Sequence, residues 1–332
     1  MDLTLAWAAI IALGLFLYVV LDGFDLGIGI LFPFFPDARE RDTMMHSVAP
    51  VWDGNETWLV LGGAGLLAAF PMVYSVLLSA LYLPLVLMLV CLIFRGVAFE
   101  IRGKSQRTRP WWDLAFIGGS AGATFFQGVS LGAYLSGIPV ENGQFAGDAF
   151  AWVTAFNLFT GLGLVVTYAL LGACWLIGKT EGDLQRRLRV LAWPLTLGLV
   201  ATMAVVSLWT PLRVPLVADR WFADQWFWRC LPVPFLVAGA TLVMRRVLRR
   251  SHDATPFWLA IGLVFLGYSG LLISAYPYAI LPGITLWDAA APHSSLSFTL
   301  WGAAFIIPVI LGYTMLAYWV FRGKVAHDAH YH

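Results

Sequence analysis

Leu21-Asp-Gly-Phe-Asp-Leu-Gly27 and Val51-Trp-Asp-Gly-Asn-Glu-Thr-Trp58 are the two stretches whose reading decides the fold. Each sets two carboxylates three residues apart inside a strongly apolar segment: Asp22 with Asp25, and Asp53 with Glu56. That spacing puts both members of a pair on one face of a helix. A carboxylate at the centre of a membrane helix costs roughly 2.5–3.5 kcal/mol on insertion scales, so those retained there point to a function. Moving protons is the leading one.

The rest of the chain supports a membrane setting. Of 332 residues, 60% are hydrophobic and only 12% are charged, where soluble domains average about 25% charged. Mean hydropathy is +0.78. A net charge of +1, with the basic residues confined to short loops, argues against a nucleic-acid partner. Cys91, Cys174 and Cys230 all lie in apolar stretches and read as small core residues, not as a disulfide framework or metal site. The start, Met1-Asp2-Leu3-Thr4, lacks the basic flank of a cleavable signal peptide.

A spanning helix needs about 20 mostly apolar residues. The chain is read on that rule as an all-α polytopic membrane protein, one integral membrane domain over 1–332 with about nine spans. These fall near 4–34, 50–73, 75–101, 111–137, 152–178, 188–211, 226–247, 256–281 and 295–321. Pro71, Pro84, Pro194, Pro277 and Pro308 mark kinks or ends. The polar stretch 37–49 is expected to form a short interfacial helix. Arg and Lys gather in the alternate loops near 39–41, 102–109, 179–189 and 245–250 and at 322–324. Arg213, Arg220 and Arg229 fall on the other side. The positive-inside rule then puts the N-terminus outside and the C-terminus in the cytoplasm.

This orientation places Asp22, Asp25, Asp53, Glu56, Arg95, Glu100 and Asp113 at similar depth on the cytoplasmic side. The functional reading is a proton path through Asp22, Asp25, Asp53 and Glu56, supported by Arg95, Asp113, Trp52 and Asn55. The bland reading is that these groups cap helix ends or pair at the interface; Asp53 and Glu56, close to a helix start, suit it well. Gly23 and Gly27 form a pair that lets helices approach closely, and Gly62, Gly63 and Gly65 could do the same. Trp52, Trp58, Trp111, Trp112, Trp287 and Trp301 near span ends are expected to form an interfacial belt. His46, His252 and His293 lie at interfaces or in loops, so no span centre offers the imidazole a membrane haem would want. The tail Ala326-His-Asp-Ala-His-Tyr-His332 has donors for a weak metal site but reads as a disordered terminus, and no metal site is expected.

Taken with Ala49-Pro-Val-Trp-Asp-Gly-Asn-Glu-Thr-Trp58, the segment 22–27 resembles subunit II of the cytochrome bd-type ubiquinol oxidases, cyanide-insensitive branch included. Phe70-Pro-Met-Val-Tyr74, Phe94-Arg-Gly-Val-Ala-Phe99, Trp112-Asp113, Tyr276-Pro-Tyr278 and Thr285-Leu-Trp-Asp288 extend the resemblance in order along the chain. Residues 180–225 carry no matching motif. The resemblance implies nine helices arranged as two four-helix bundles plus one, in the bacterial inner membrane. It implies a heterodimer with a haem-bearing subunit I, joined in some members by small accessory subunits. The complex would oxidise quinol and reduce dioxygen to water, with haem b and haem d, or haem b alone, ligated by subunit I. Subunit II would support assembly, help deliver protons and, in some members, hold a structural quinone. The family's proton-path carboxylates map most directly onto Asp25 and Asp53, and less directly onto Asp22 and Glu56; some relatives carry an amide at the Glu56 position.

Two rivals share these features. A proton-coupled secondary transporter would also bury carboxylates, but it would often show broken spans in corresponding halves, and no such pair is found. A purely structural membrane partner would explain the glycines and aromatic residues but not Asp22, Asp25 and Asp53.

Overall fold

The computed structural model describes residues 2–222, 228, 231–250 and 253–325. Cys230, Arg229, His252 and the 326–332 tail lie outside them. Asp2 accepts from the Thr4 and Leu5 amides and so caps α1, Leu3–Leu31; a carboxylate there also complements the helix dipole. A 3-10 turn at Phe32–Phe34 leads to α2, Ala38–His46, the short polar helix expected, capped by Asp37.

The second expected span is broken. Its residues form α3 (Trp52–Asn55) and α4 (Thr57–Ala69), followed by α5 (Pro71–Ala80). Pro71 opens α5, and Phe70 before it is non-helical (φ −136°, ψ 63°), the bias a residue preceding proline feels. The next long helix, α6, therefore runs Tyr82–Arg102 and does not begin at 75. It is followed by α7 (Arg109–Leu135), α8 (Ala155–Lys179), α9 (Gly182–Arg213) and α10 (Pro215–Phe222). Then come α11 (Pro232–Leu248), α12 (Thr255–Ala275), the single turn α13 (Leu286–Ala289) and α14 (His293–Val320). Pro194, Pro211 and Pro308 sit inside helices. The only strands among the described residues are the short hairpins Val140–Glu141 with Gln144–Phe145, and Tyr278–Ile280 with Ile284–Thr285.

Seven helices of the described residues are long and apolar enough to cross a membrane: α1, α6, α7, α8, α9, α12 and α14. The chain is an integral membrane protein, mostly helical. Helices α6, α7, α8 and α9 pack in succession, and α1 lies against α4, α7 and α8. Helix α8 is the most buried of the seven, and α14 the least.

Lipid is as apolar as leucine, so association within a membrane depends on close packing and small residues. A Cβ on Gly27 would collide with the Tyr168 carbonyl, and one on Gly172 with the Gly27 backbone. The α1–α8 crossing is thus backbone against backbone, as the glycine pair suggested. Beside it, Phe24 stacks on Trp175 with centroids 4.3 Å apart. Helix α7 meets α6 the same way, since a Cβ on Gly119 would run into the Cys91 carbonyl and the Arg95 amide nitrogen.

Candidate functional site

Four elements bring the site together. Helix α1 carries Asp22 and Asp25, α3 carries Asn55, the α3–α4 junction carries Glu56, and α6 carries Arg95. The spacing of three does put Asp22 and Asp25 on one face. Both are fully buried, as is Arg95. The Arg95 Nη2 atom lies 3.7 Å from Asp22 Oδ1 and 3.8 Å from Asp25 Oδ2. Its Nη1 donates to Glu56 Oε1 at 2.8 Å, and its guanidinium lies over the Trp52 ring, 5.0 Å from the centroid.

The second pair does not share a face in the same way. The chain turns at Glu56 between α3 and α4, which sends Glu56 to Arg95 and leaves Asp53 exposed. Among the described ion pairs Arg95 reaches Glu56 and not Asp53. The Glu56 side chain is 35% exposed, so it stands between the interior and the outside.

One guanidinium therefore faces three carboxylates. Several of their atoms make no well-formed hydrogen bond: both Asp22 oxygens, Asp25 Oδ1, and Arg95 Nε and Nη2. Neutral polar side chains surround the cluster. The Tyr318 hydroxyl donates to Asn55 Oδ1 at 2.8 Å, and Asn55 Nδ2 donates to Asp25 Oδ2 at 2.7 Å and to the Leu21 carbonyl at 3.3 Å. On the other side Tyr168 donates to Gln127 Oε1 at 3.0 Å, and Gln127 Nε2 donates to the Tyr18 hydroxyl at 2.6 Å. Tyr18 stands one turn before Asp22 on α1. Tyr18, Gln127, Tyr168 and Tyr318 escaped the sequence reading, where neutral polar groups in apolar spans gave little contrast. Gln127, a carboxamide inside a span, was the available signal.

Asp113 belongs elsewhere. Arg102 Nε and Arg41 Nη1 both bond it, the latter at 2.7 Å. Asp42 accepts from Arg102 Nη1 at 2.5 Å and from Arg109. Burial alone would raise the Asp42 carboxyl, but hydrogen bonds from Arg109 and Arg102 outweigh it and hold it below the usual carboxylate range. Glu100 is also outside the Arg95 cluster and pairs with Lys104 at 3.8 Å.

The tryptophans divide too. Trp111, Trp287 and Trp301 are exposed as a belt requires, but Trp58 is buried at the start of α4 and Trp52 is taken up by Arg95. Described histidines lie outside span centres: His46 ends α2 and His293 opens α14. Among the described residues no group of three or more His, Cys, Asp or Glu could hold a metal ion.

A family model described as cytochrome bd terminal oxidase subunit II matches residues 3–321. The cytochrome bd-I ubiquinol oxidase subunit 2 of Escherichia coli (strain K12) is 29% identical, with 97% of this chain and 95% of that protein covered. The cytochrome bd ubiquinol oxidase subunit 2 of Bacillus subtilis (strain 168) is 27% identical over 98% and 97%. Among solved structures, the bd oxidase from Geobacillus thermodenitrificans has the same fold: TM-score 0.75 over 96% of this chain and 99% of that one, at 18% identity.

Proposed function

The chain belongs to the subunit II family of the cytochrome bd terminal oxidases, and from that premise we propose that it supplies protons to a quinol-oxidising, dioxygen-reducing complex. In this reading it is the non-haem subunit of a heterodimer in the bacterial inner membrane. It supports assembly of the haem-bearing subunit I and takes up protons from the cytoplasm. The nine-span arrangement, two four-helix bundles plus one, counts α4 with α5 and α11 beside the seven long helices. Arg41, Arg102, Arg109 and Arg187 gather near the Leu31 end of α1, which supports a cytoplasmic face there.

The observation that carries the reading is the excess of buried carboxylate over cation. One guanidinium balances one carboxylate, and a further buried charge costs several kcal/mol. A proton is the simplest counter-charge such a cluster can take, and losing it again is what a relay requires. Exposed Asp53 collects protons at the mouth and half-exposed Glu56 passes them inward. Asp25 and Asp22 receive them, with Arg95 leaning toward whichever carboxylate is ionised. Glu56, Asp25 and Asp22, all within 4 Å of the Arg95 guanidinium, can pass a proton among them while the cation stays paired with one of the others.

His46 and His293, in separate elements at helix ends, do not make an axial ligand pair for a haem. The complex's haem b and haem d, or haem b alone, are assigned to subunit I, where they supply the dioxygen chemistry. A structural quinone, small accessory subunits and membrane lipid complete the expected partners. Reduction of dioxygen to water consumes a proton for each electron, so uptake from one face with quinol oxidised at the other builds a gradient.

The test is quinol-driven oxygen uptake by the purified complex, normalised to haem. Asp25→Asn and Asp53→Asn are expected to lower it while the reduced-minus-oxidised haem spectrum is unchanged. Normal turnover in an assembled Asp53→Asn complex removes the proton role from that residue.

A further inference from the structure

Helix α14 is an odd place to find a residue of the site. It is the least buried of the long helices, and its side chains Phe298, Trp301 and Phe305 are all more than 70% exposed. Yet its last turn carries Tyr318, whose hydroxyl reaches Asn55, and Asn55 is 1% exposed.

The end of α14 is fastened tightly. The Tyr318 ring stands edge-on to Trp175 at 5.9 Å and to Phe24 at 6.4 Å. Just beyond, Lys179 Nζ donates to the Phe321 carbonyl at 2.5 Å and the Gly323 carbonyl at 3.3 Å. The Val325 amide donates to the Lys179 carbonyl at 2.9 Å. Lys324 pairs with Asp253 at 2.8 Å and Glu181 at 3.1 Å. The segment 321–325 is thereby latched to the end of α8, and the latch sets the height of Tyr318.

What Tyr318 does at that height follows from the hydrogen-bond inventory. The Leu21 carbonyl can only accept, so the Asn55 atom facing it and Asp25 is the nitrogen. The Asn55 oxygen is left on the opposite side, where the Tyr318 hydroxyl satisfies it. Without that hydroxyl the buried oxygen has no donor, and the carboxamide keeps only the contacts on its nitrogen side, to Asp25 and the Leu21 carbonyl. It can then swing about its side-chain torsions toward another donor, and the 2.7 Å bond to Asp25 is no longer held in place.

Resting on the proton reading above, we infer that Tyr318 is a positioning residue for Asp25, acting through Asn55. It locks the carboxamide as a donor to Asp25 Oδ2. The partnered oxygen stays an acceptor, and the proton comes and goes at Oδ1, the Asp25 oxygen with no hydrogen-bond partner. The charged groups facing Asp25 are Arg95 from α6, Asp22 from α1 and Glu56 from the α3–α4 junction, and none of them contacts the Tyr318 hydroxyl in a described bond.

The experiment is steady-state oxygen uptake by the intact complex in H2O and D2O. Tyr318→Phe is expected to lower kcat by about fivefold, the scale of one hydrogen bond, with KM for quinol and the haem spectrum unchanged. The solvent isotope effect should rise as the proton step becomes limiting. Replacing Tyr318 by 4-aminophenylalanine, which keeps an N–H donor at the position of the hydroxyl, should recover kcat and isotope effect toward wild type. Asn55→Leu should be slow, and Tyr318→Phe added to it should slow it no further, the non-additivity expected of residues acting in series. Wild-type kcat and isotope effect in Tyr318→Phe, no recovery with 4-aminophenylalanine at 318, or additive losses in the double variant overturn the inference. Asp25→Asn separates the two levels: if it keeps full turnover the proton reading itself fails. If it is slow while Tyr318→Phe is not, only the role of Tyr318 fails.

Discussion

Two charged clusters sit about two helical turns apart on α6, and they are built on opposite proportions. Around Arg95 one guanidinium serves Asp22, Asp25 and Glu56, and two of its three ion pairs are long, at 3.7 and 3.8 Å. Around Arg102 three guanidinium groups, from Arg41, Arg102 and Arg109, serve only Asp42 and Asp113, at 2.7 Å or less. The ring of Phe32 lies under both Arg41 and Arg102, 5.3 and 5.5 Å from the two guanidinium centres, as a floor. In the proposed function the difference separates a clasp from a relay. Where cations match or exceed carboxylates, every charge is held by short contacts and the cluster fixes α2 and α7 to α6. Where carboxylates exceed cations, oxygens remain without hydrogen-bond partners, and a proton is the counter-charge that the proposed relay would use.

The sharpest way to break that contrast is to remove one arginine of the clasp. Arg102→Ala removes a buried guanidinium and leaves the partly exposed Asp42 and Asp113 with one arginine each, a loss of charged hydrogen bonds that costs about 1.5–3 kcal/mol. It is expected to reduce the amount of assembled complex recovered from membranes, while the complex that survives turns over normally per haem. Asp25→Asn should do the reverse: full assembly, with turnover per haem down about tenfold or more, as for a lost acid–base group. If Arg102→Ala assembled fully and lost turnover instead, the division of labour would be wrong.

Glu56→Gln is expected to have a smaller effect, a few-fold loss of turnover. Asp53 remains at the mouth and an amide can still accept from Arg95 Nη1. The assay is the same oxygen uptake, and the resemblance to relatives with an amide at that position points the same way.

The smallest effect is in pH. Asp42 is held low by Arg109 and Arg102 against its burial, and Asp253 is held low chiefly by its hydrogen bond from Lys324. A carboxyl whose folded value is depressed stabilises the fold above its unfolded value and loses that contribution as pH falls through the folded one. The clasp and the 321–325 latch should therefore be indifferent to pH from 6 to 8 and weaken below the ordinary value of 3.8. Thermal melts of the complex at pH 6 and near pH 3 read this, with Asp42→Asn showing the smaller drop.

Much of the architecture was legible because lipid demands long apolar helices, and α1, α7, α8 and α14 start and stop close to where hydropathy puts them. The region 50–80 was not, because hydropathy is blind to a backbone break. Residues 50–73 and 75–101 look like two spans until Pro71 and the turn at Glu56 divide them. The pairing of Asp22 with Asp25 followed from helical spacing alone. Arg95 was recognisable as a cation in a span, but nothing in one dimension said that it would take Glu56 and leave Asp53, or that Asp113 would go to Arg102. Those choices are made by which helices cross, and the α1–α8 and α6–α7 crossings are set by glycines whose partners lie far along the chain. Tyr318 lies 263 residues from Asn55, at a separation no local pattern spans.

The depth of Asp22 has an electrical meaning. It lies roughly nine residues from the Leu31 end of α1, which is about 13 Å of helix at 1.5 Å per residue. The hydrocarbon layer is about 30 Å thick, so with the Leu31 end at the cytoplasmic surface, as the proposed orientation has it, a proton reaching Asp22 from that end crosses about 40% of the membrane's field. A full crossing is worth about 2.3 kcal/mol per 100 mV, and this partial one roughly 1 kcal/mol. In the proposed function the cluster is loaded from the cytoplasm, and on that reading loading works against the voltage that the complex would help to create. The charged membrane would then act as a brake on its own supply of protons, strongest when the cell is fully energised and released as the voltage is spent.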